Sequence, residues 1–212
     1  MLLRSGWRFS LVFALAPLFG CIAPANNGSE SVGTSDQAIK GGYSDAADTA
    51  VVDIYWTDNW AECSGSLIAP NLVLTARHCV APVYGEVQGG IDCKQSSFGS
   101  PGNASSFFVS TTQYATQDPA DWRPAKKIIV PDDSLFCGHD AALIILYDNI
   151  PAGEALPIVP RIDTQVALKD VYSAVGFGGT TDTGAGAGER RRRDDLVVKC
   201  VGKNSQKVVD CI

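Results

Sequence analysis

Histidine is scarce in this chain, with two among 212 residues. Any reaction that needs an imidazole base therefore has two candidates, unless a lysine or a carboxylate serves. No Cys-x-x-Cys or His-x-x-x-His spacing occurs, which removes the clustered ligands of a structural zinc site. No calcium-loop pattern appears either, so neither metal nor cofactor is expected. No segment keeps helical periodicity over three turns, and no internal repeat or heptad is visible. Positive charge is in deficit: 17 Lys and Arg against 23 Asp and Glu give a net charge of −6. With a pI near 4.8, nucleic-acid binding has no electrostatic basis. Beyond residue 20 no apolar run reaches 18 residues, so nothing after that point is expected to span a membrane.

The N-terminus reads as a targeting segment, residues 1–20. Arg4 and Arg8 precede the apolar stretch Phe9 to Phe19, which is too short for a span of about 20 residues. Leu18-Phe19-Gly20-Cys21 is similar to the lipobox of bacterial lipoproteins, which would make Cys21 the lipidated first residue. The membrane would then be reached only through acyl chains. The other reading is an ordinary signal peptide with a chance cysteine. Residues 21–38 are rich in Asn, Gly, Ser and Asp and read as a tether or propeptide. Either way the protein is exported, lipid-anchored to the cell envelope or secreted.

Removing residues 1–38 leaves 174 residues, ample for a core yet short of the roughly 200–250 that β-barrel domains often occupy. Of seven cysteines, six remain besides Cys21, and disulfides are the default for an exported chain. Cys63 with Cys79 is the first expected pair and Cys93 with Cys137 the second. Cys200 and Cys211 pair with each other or with partners beyond Ile212. Arg190 to Arg193 form the only basic cluster. Lying between the glycines at 184–188 and Asp194-Asp195, they read as a solvated, cleavable loop.

Short β-rich runs recur between turn residues: Ala50–Trp56, Ser64–Ile68, Leu72–Thr75, Phe107–Ser110, Lys127–Val130, Ala141–Tyr147, Val171–Val175 and Leu196–Val201. The pattern is all-β, of sandwich or barrel type. Ala141–Leu146 is unbroken apolar, as for a strand buried on both sides.

Acyl transfer from a peptide needs a nucleophile, a base and an acid that holds the base in one tautomer. His78 follows the apolar strand Leu72-Val73-Leu74 and precedes Cys79, so it is rigidly presented. Asp140 enters an apolar run, where a carboxylate is costly without a hydrogen-bonded partner; His78 is the candidate. His139, adjacent to Asp140, points the other way on extended chain and reads as a rim residue.

These contexts resemble the trypsin/chymotrypsin family of serine endopeptidases. Ile39-Lys40-Gly41-Gly42 resembles the Ile-Val-Gly-Gly of the activated N-terminus. Cys63-Ser64-Gly65-Ser66-Leu67-Ile68 resembles Cys-Gly-Gly-Ser-Leu-Ile. Thr75-Ala76-Arg77-His78-Cys79 resembles Thr-Ala-Ala-His-Cys, Asp140-Ala141-Ala142-Leu143 resembles Asp-Ile-Ala-Leu, and Val175 to Thr180 resembles the Gly-Trp-Gly-x-Thr opening of a second barrel. The resemblance implies two Greek-key β-barrels with a cleft between them. It makes His78 the general base, Asp140 its orienting carboxylate, Ile39 the mature N-terminus, and proteins or peptides the substrates. On this template residues 39–155 form a complete first barrel and residues 156–212 a partial second one.

Two departures bear on activity. Ala38 precedes Ile39, so trypsin would not release this N-terminus, and the resemblance implies either another activating protease that cleaves after Ala38 or no activation at all. No Gly-Asp-Ser-Gly-Gly occurs in the 212 residues, so the chain holds no nucleophile of the family's kind. Ser64 and Ser66 are strand positions in the family motif, and Ser173 and Ser205 lack a glycine turn. The expectation is a C-terminally truncated bacterial serine endopeptidase, inactive as it stands. The alternatives are a non-catalytic protease-like binding protein on the cell surface and a disulfide-stapled structural surface protein.

Overall fold

The computed structural model describes residues 39–86, 90–181, 183–199 and 201. The expected targeting segment, tether, Cys21, Cys200 and Cys211 lie outside the described residues. Eleven strands follow in chain order: β1 Tyr43–Ser44, β2 Val51–Trp56, β3 Ala61–Ala69, β4 Leu72–Thr75, β5 Val83–Tyr84, β6 Ser97–Phe98, β7 Phe107–Ser110, β8 Trp122–Ile129, β9 Ala142–Leu146, β10 Val171–Gly176 and β11 Arg191–Val197.

Six of them close into a barrel in the order β2-β3-β4-β9-β8-β7, and β7 returns to β2. Every pairing is antiparallel. Period-two alternation sends one face of each strand inward. Val52, Ile54 and Trp56 of β2 meet Leu67, Val73, Phe107, Val109, Ile144 and Leu146 in one core, all buried. Trp56 and Phe107 hold their ring centroids 4.9 Å apart. Gly65 permits this packing: a β-carbon there would lie 2.5 Å from Val73 Cγ1 and 2.8 Å from Ile54 Cδ1.

Strand β9 departs from its expected burial on both sides. Ala142, Ile144 and Leu146 are buried, whereas Leu143 and Ile145 are half-buried, because the barrel has only one dry face.

The arginine cluster also departs from expectation. It is no solvated loop: Arg190 is 1 % exposed, and β11 begins at Arg191 rather than at Leu196. The guanidinium explains the burial, since its fork of donors satisfies backbone carbonyls while the Asp45 and Asp48 carboxylates lie near enough to favour its charge. Arg190 Nε donates to Asp45 O, and Nη1 donates to Val51 O and Thr111 O, each at 3.1 Å. Strands β1, β11 and β10 form a three-stranded sheet in that order, and β10 lies against β2 and β3.

Candidate active site

Strand pairing builds the site. The end of β4 faces the start of β9, with Thr75 opposite Ala142. Three residues after Thr75 the chain reaches His78, and two residues before Ala142 it holds Asp140. The ladder thus brings together residues 62 apart in sequence. A 3₁₀ turn over Arg77–Cys79 lifts His78 out of the strand direction, so both its backbone and its ring can meet the carboxylate.

Both oxygens of Asp140 are engaged. Oδ1 accepts from the His78 backbone N–H at 2.9 Å, and Oδ2 lies 2.8 Å from His78 Nδ1. Burial pushes the Asp140 carboxyl up, but hydrogen bonds from the His78 ring and the backbone N–H groups of His78 and Arg77 outweigh it. The net effect holds the group below the usual carboxylate range, ionised at neutral pH. An ionised acceptor at Nδ1 selects the tautomer with the proton on Nδ1 and leaves the Nε2 lone pair free. His78 borders a cavity of about 260 Å³, walled also by Trp60, Glu62, Ser64, the Cys63–Cys79 pair and Phe177.

The cysteines fix the frame. Cys63 on β3 is bonded to Cys79 in the turn, and Cys93 to Cys137. Loops of 16 and 44 residues correspond to roughly 3 and 4 kcal/mol in the chain-entropy account. Cys63, His78 and Cys79 lie within 4.8 Å of one another, yet the two sulfurs are bonded together and offer no thiolate to a metal. His139 pairs with Asp133 at 2.8 Å, away from His78.

Ser64 borders the cavity, but its Oγ accepts the Phe177 backbone N–H at 2.9 Å. It thereby fastens the segment after β10 to the barrel. Ser173 is held by Asp194 and Arg192, in the sheet. Ile39 N–H donates to Gly179 O at 2.8 Å.

With this geometry, the trypsin family profile, described as Trypsin, matches residues 39–189. The chain belongs to the trypsin family. No curated protein gives a significant match. Membership places the barrel and its His-Asp pair in a family of serine proteases that act on proteins and peptides. The two disulfides agree with an exported protein, and no helix among the described residues is long and apolar enough to cross a membrane.

Three residues around the site were not evident in the sequence. Arg77 is 4 % exposed and sits over the Phe98 ring, 4.6 Å from its centroid. Phe98 stacks in turn on Phe136 at 4.7 Å. The one available signal was that Arg77 stands where the family motif has alanine. Asp53 is wholly buried without a hydrogen bond to its side chain among the described residues. Glu62 enters the cavity wall from a β3 end that sequence pattern had placed outside the strand.

Proposed function

We propose that the chain carries the base half of a serine endopeptidase site, with His78 as general base and Asp140 as the carboxylate that orients it. The observation that carries this reading is the two-point hold of Asp140 on His78, at 2.9 and 2.8 Å. One contact fixes the turn and the other fixes the ring and its tautomer. A hydroxyl placed at Nε2 gives up its proton as it attacks a peptide carbonyl. The resulting imidazolium is stabilised by the ionised Asp140 and returns the proton to the departing amine.

Ser64, the serine that lines the cavity beside His78, is not suited to supply that hydroxyl. Ser64 Oγ is spent on Phe177 N–H, and the 212 residues contain no Gly-Asp-Ser-Gly-Gly. A polypeptide of these 212 residues is therefore inactive in this reading, and hydrolysis requires a nucleophile from sequence outside them. Residues 39–155 act as the first barrel unit, apart from β1, which pairs with β11, and the strands after 156 belong to a second. Ile39, released by cleavage after Ala38, is the working N-terminus, and the exported chain is either secreted or held by lipid at Cys21 until that cleavage.

The test is a fluorogenic peptide panel on residues 39–212 refolded with both disulfides. No turnover above buffer is expected, since loss of the nucleophile alone costs about 10⁶ in kcat in a related protease type. Turnover that His78→Ala abolishes would overturn the inactivity. In a longer chain that supplies the nucleophile, the same substitution should cost at least about 10³ in kcat; undiminished activity would remove His78 as the base.

A further inference from the structure

A second concavity, of about 450 Å³, lies on the outer face of the barrel between the β2–β3 hairpin and the segment 115–122. Its walls include four aromatic side chains, Tyr55, Trp60, Phe108 and Trp122, together with Glu62. Tyr55 and Trp122 hold their ring centroids 5.9 Å apart at 49°, and Trp122 is pinned by a hydrogen bond from Nε1 to Thr116 O at 3.1 Å. Trp60 is 82 % exposed. It sits at φ 58°, a left-handed conformation that a bulky residue adopts at a cost of about 1–3 kcal/mol and that concentrates at functional positions.

Glu62 is the one charged residue in the groove wall, and the charged residues nearest that wall in sequence are acidic apart from Arg123. Glu62 has no hydrogen bond or ion pair among the described residues, and Asp58, Asp118 and Asp121 flank the aromatic walls in sequence. Asp118 and Asp121 accept from neutral donors, Ala120 N–H and the Thr116 hydroxyl, so their charge stays uncancelled. The nearest cation in sequence, Arg123, is held by both carboxylate oxygens of Glu154 at 2.8 and 2.7 Å. Aromatic faces carry negative potential, and a desolvated cation between them gains most when a carboxylate stands at the end of the slot.

We infer that this groove binds a polypeptide segment through a lysine or arginine side chain, inserted among Tyr55, Trp60 and Trp122 with its charge toward Glu62. Trp60 and Glu62 also wall the cavity beside His78, so a segment seated in the groove is continuous with one in the cleft. This gives the peptidase reading a preference for basic polypeptides, although the groove itself does not need that reading.

The 212-residue chain is titrated with two acetylated, amidated alanine peptides, one carrying lysine and arginine and the other glutamate and aspartate. Tryptophan fluorescence is the readout, since Trp60 and Trp122 are both in the groove. The basic peptide should bind at least about tenfold more tightly than the acidic one. Glu62→Gln and Trp60→Ala should each weaken it about fivefold or more, with unchanged circular dichroism. His78→Ala should leave the affinity unaltered. No binding of the basic peptide, equal affinity for both peptides, or indifference to both groove substitutions would overturn the inference. Loss of binding in His78→Ala would also overturn it, by moving the peptide into the cleft. Because the readout is binding, failure here leaves the His78–Asp140 chemistry standing, and a failed activity assay leaves the groove standing.

Discussion

The barrel and the three-stranded sheet are made of similar short strands but differ in how many neighbours each strand has. Every barrel strand is paired on both sides, and each contributes buried residues to one core. In the sheet, β1 and β10 each pair only with β11 among the described residues. Val171 and Tyr172 of β10 are 66 % and 48 % exposed. Closure therefore does two things at once: it removes free edges and gives each strand a dry face. The candidate base and its carboxylate stand on the closed part, at the junction of β4 and β9. The sheet is fastened to that part by polar contacts, those of Arg190 and Ser64 among them.

Core truncation should give the widest contrast between the two. Ile144→Ala should destabilise the fold by about 4 kcal/mol, from lost transfer energy plus a cavity that the closed barrel cannot collapse. Val171→Ala should cost less than about 0.5 kcal/mol. Urea denaturation of both variants checks this, and equal costs would erase the distinction.

Arg190→Ala should cost about 3 kcal/mol, because three carbonyls lose their donor in a dry setting. Its effect should be local. Amide exchange in β10 and β11 should accelerate while β2, β4 and β9 keep their protection, and uniform loss of protection would show that sheet and barrel unfold as one unit.

Asp53 sharpens the comparison from the barrel side. It belongs with Val51 and Tyr55 on the outward face of β2, yet it is wholly buried where β10 lies against β2 and β3. Burial, with a smaller contribution from the charge of Glu62, raises its carboxyl from an ordinary 3.8 to about 7. The fold thus holds a proton that the unfolded chain has released between those two values. The stability conferred by that proton is complete below pH 4, declines as pH rises toward 7, and is gone above it. Asp53→Asn should flatten this slope and stabilise the protein above pH 7 by about 1–2 kcal/mol. That is less than the full linkage value, because a buried amide without partners keeps its own cost. Thermal melts across pH 4 to 8 measure it, and an unchanged slope would show that Asp53 is not the group responsible.

The short β-rich runs between turn residues announced an all-β fold of sandwich or barrel type, the family resemblance narrowed it to a barrel, and two motifs pointed to the candidate site. His78 and Asp140 were readable because strand ends and turns impose local residue choices. What stayed hidden depends on residues distant in sequence. The arginines at 190–193 look like a solvated run until the carbonyls of Asp45, Val51 and Thr111 are seen to converge on one of them. Asp53 looks like an outward residue of its strand until β10 covers it. Trp60 and Glu62 belong to a hairpin end with no periodic signal, and only the folded hairpin sets them between the cleft and the outer groove.

The central claim is that Asp140 holds the His78 ring so that Nε2 is the basic nitrogen. Nitrogen-detected NMR of the imidazole tests it most directly. The account predicts a proton on Nδ1 hydrogen-bonded to the carboxylate and an unprotonated Nε2, with this tautomer preference lost in Asp140→Ala. A proton on Nε2 in the unaltered chain, or a tautomer unmoved by the substitution, would contradict it.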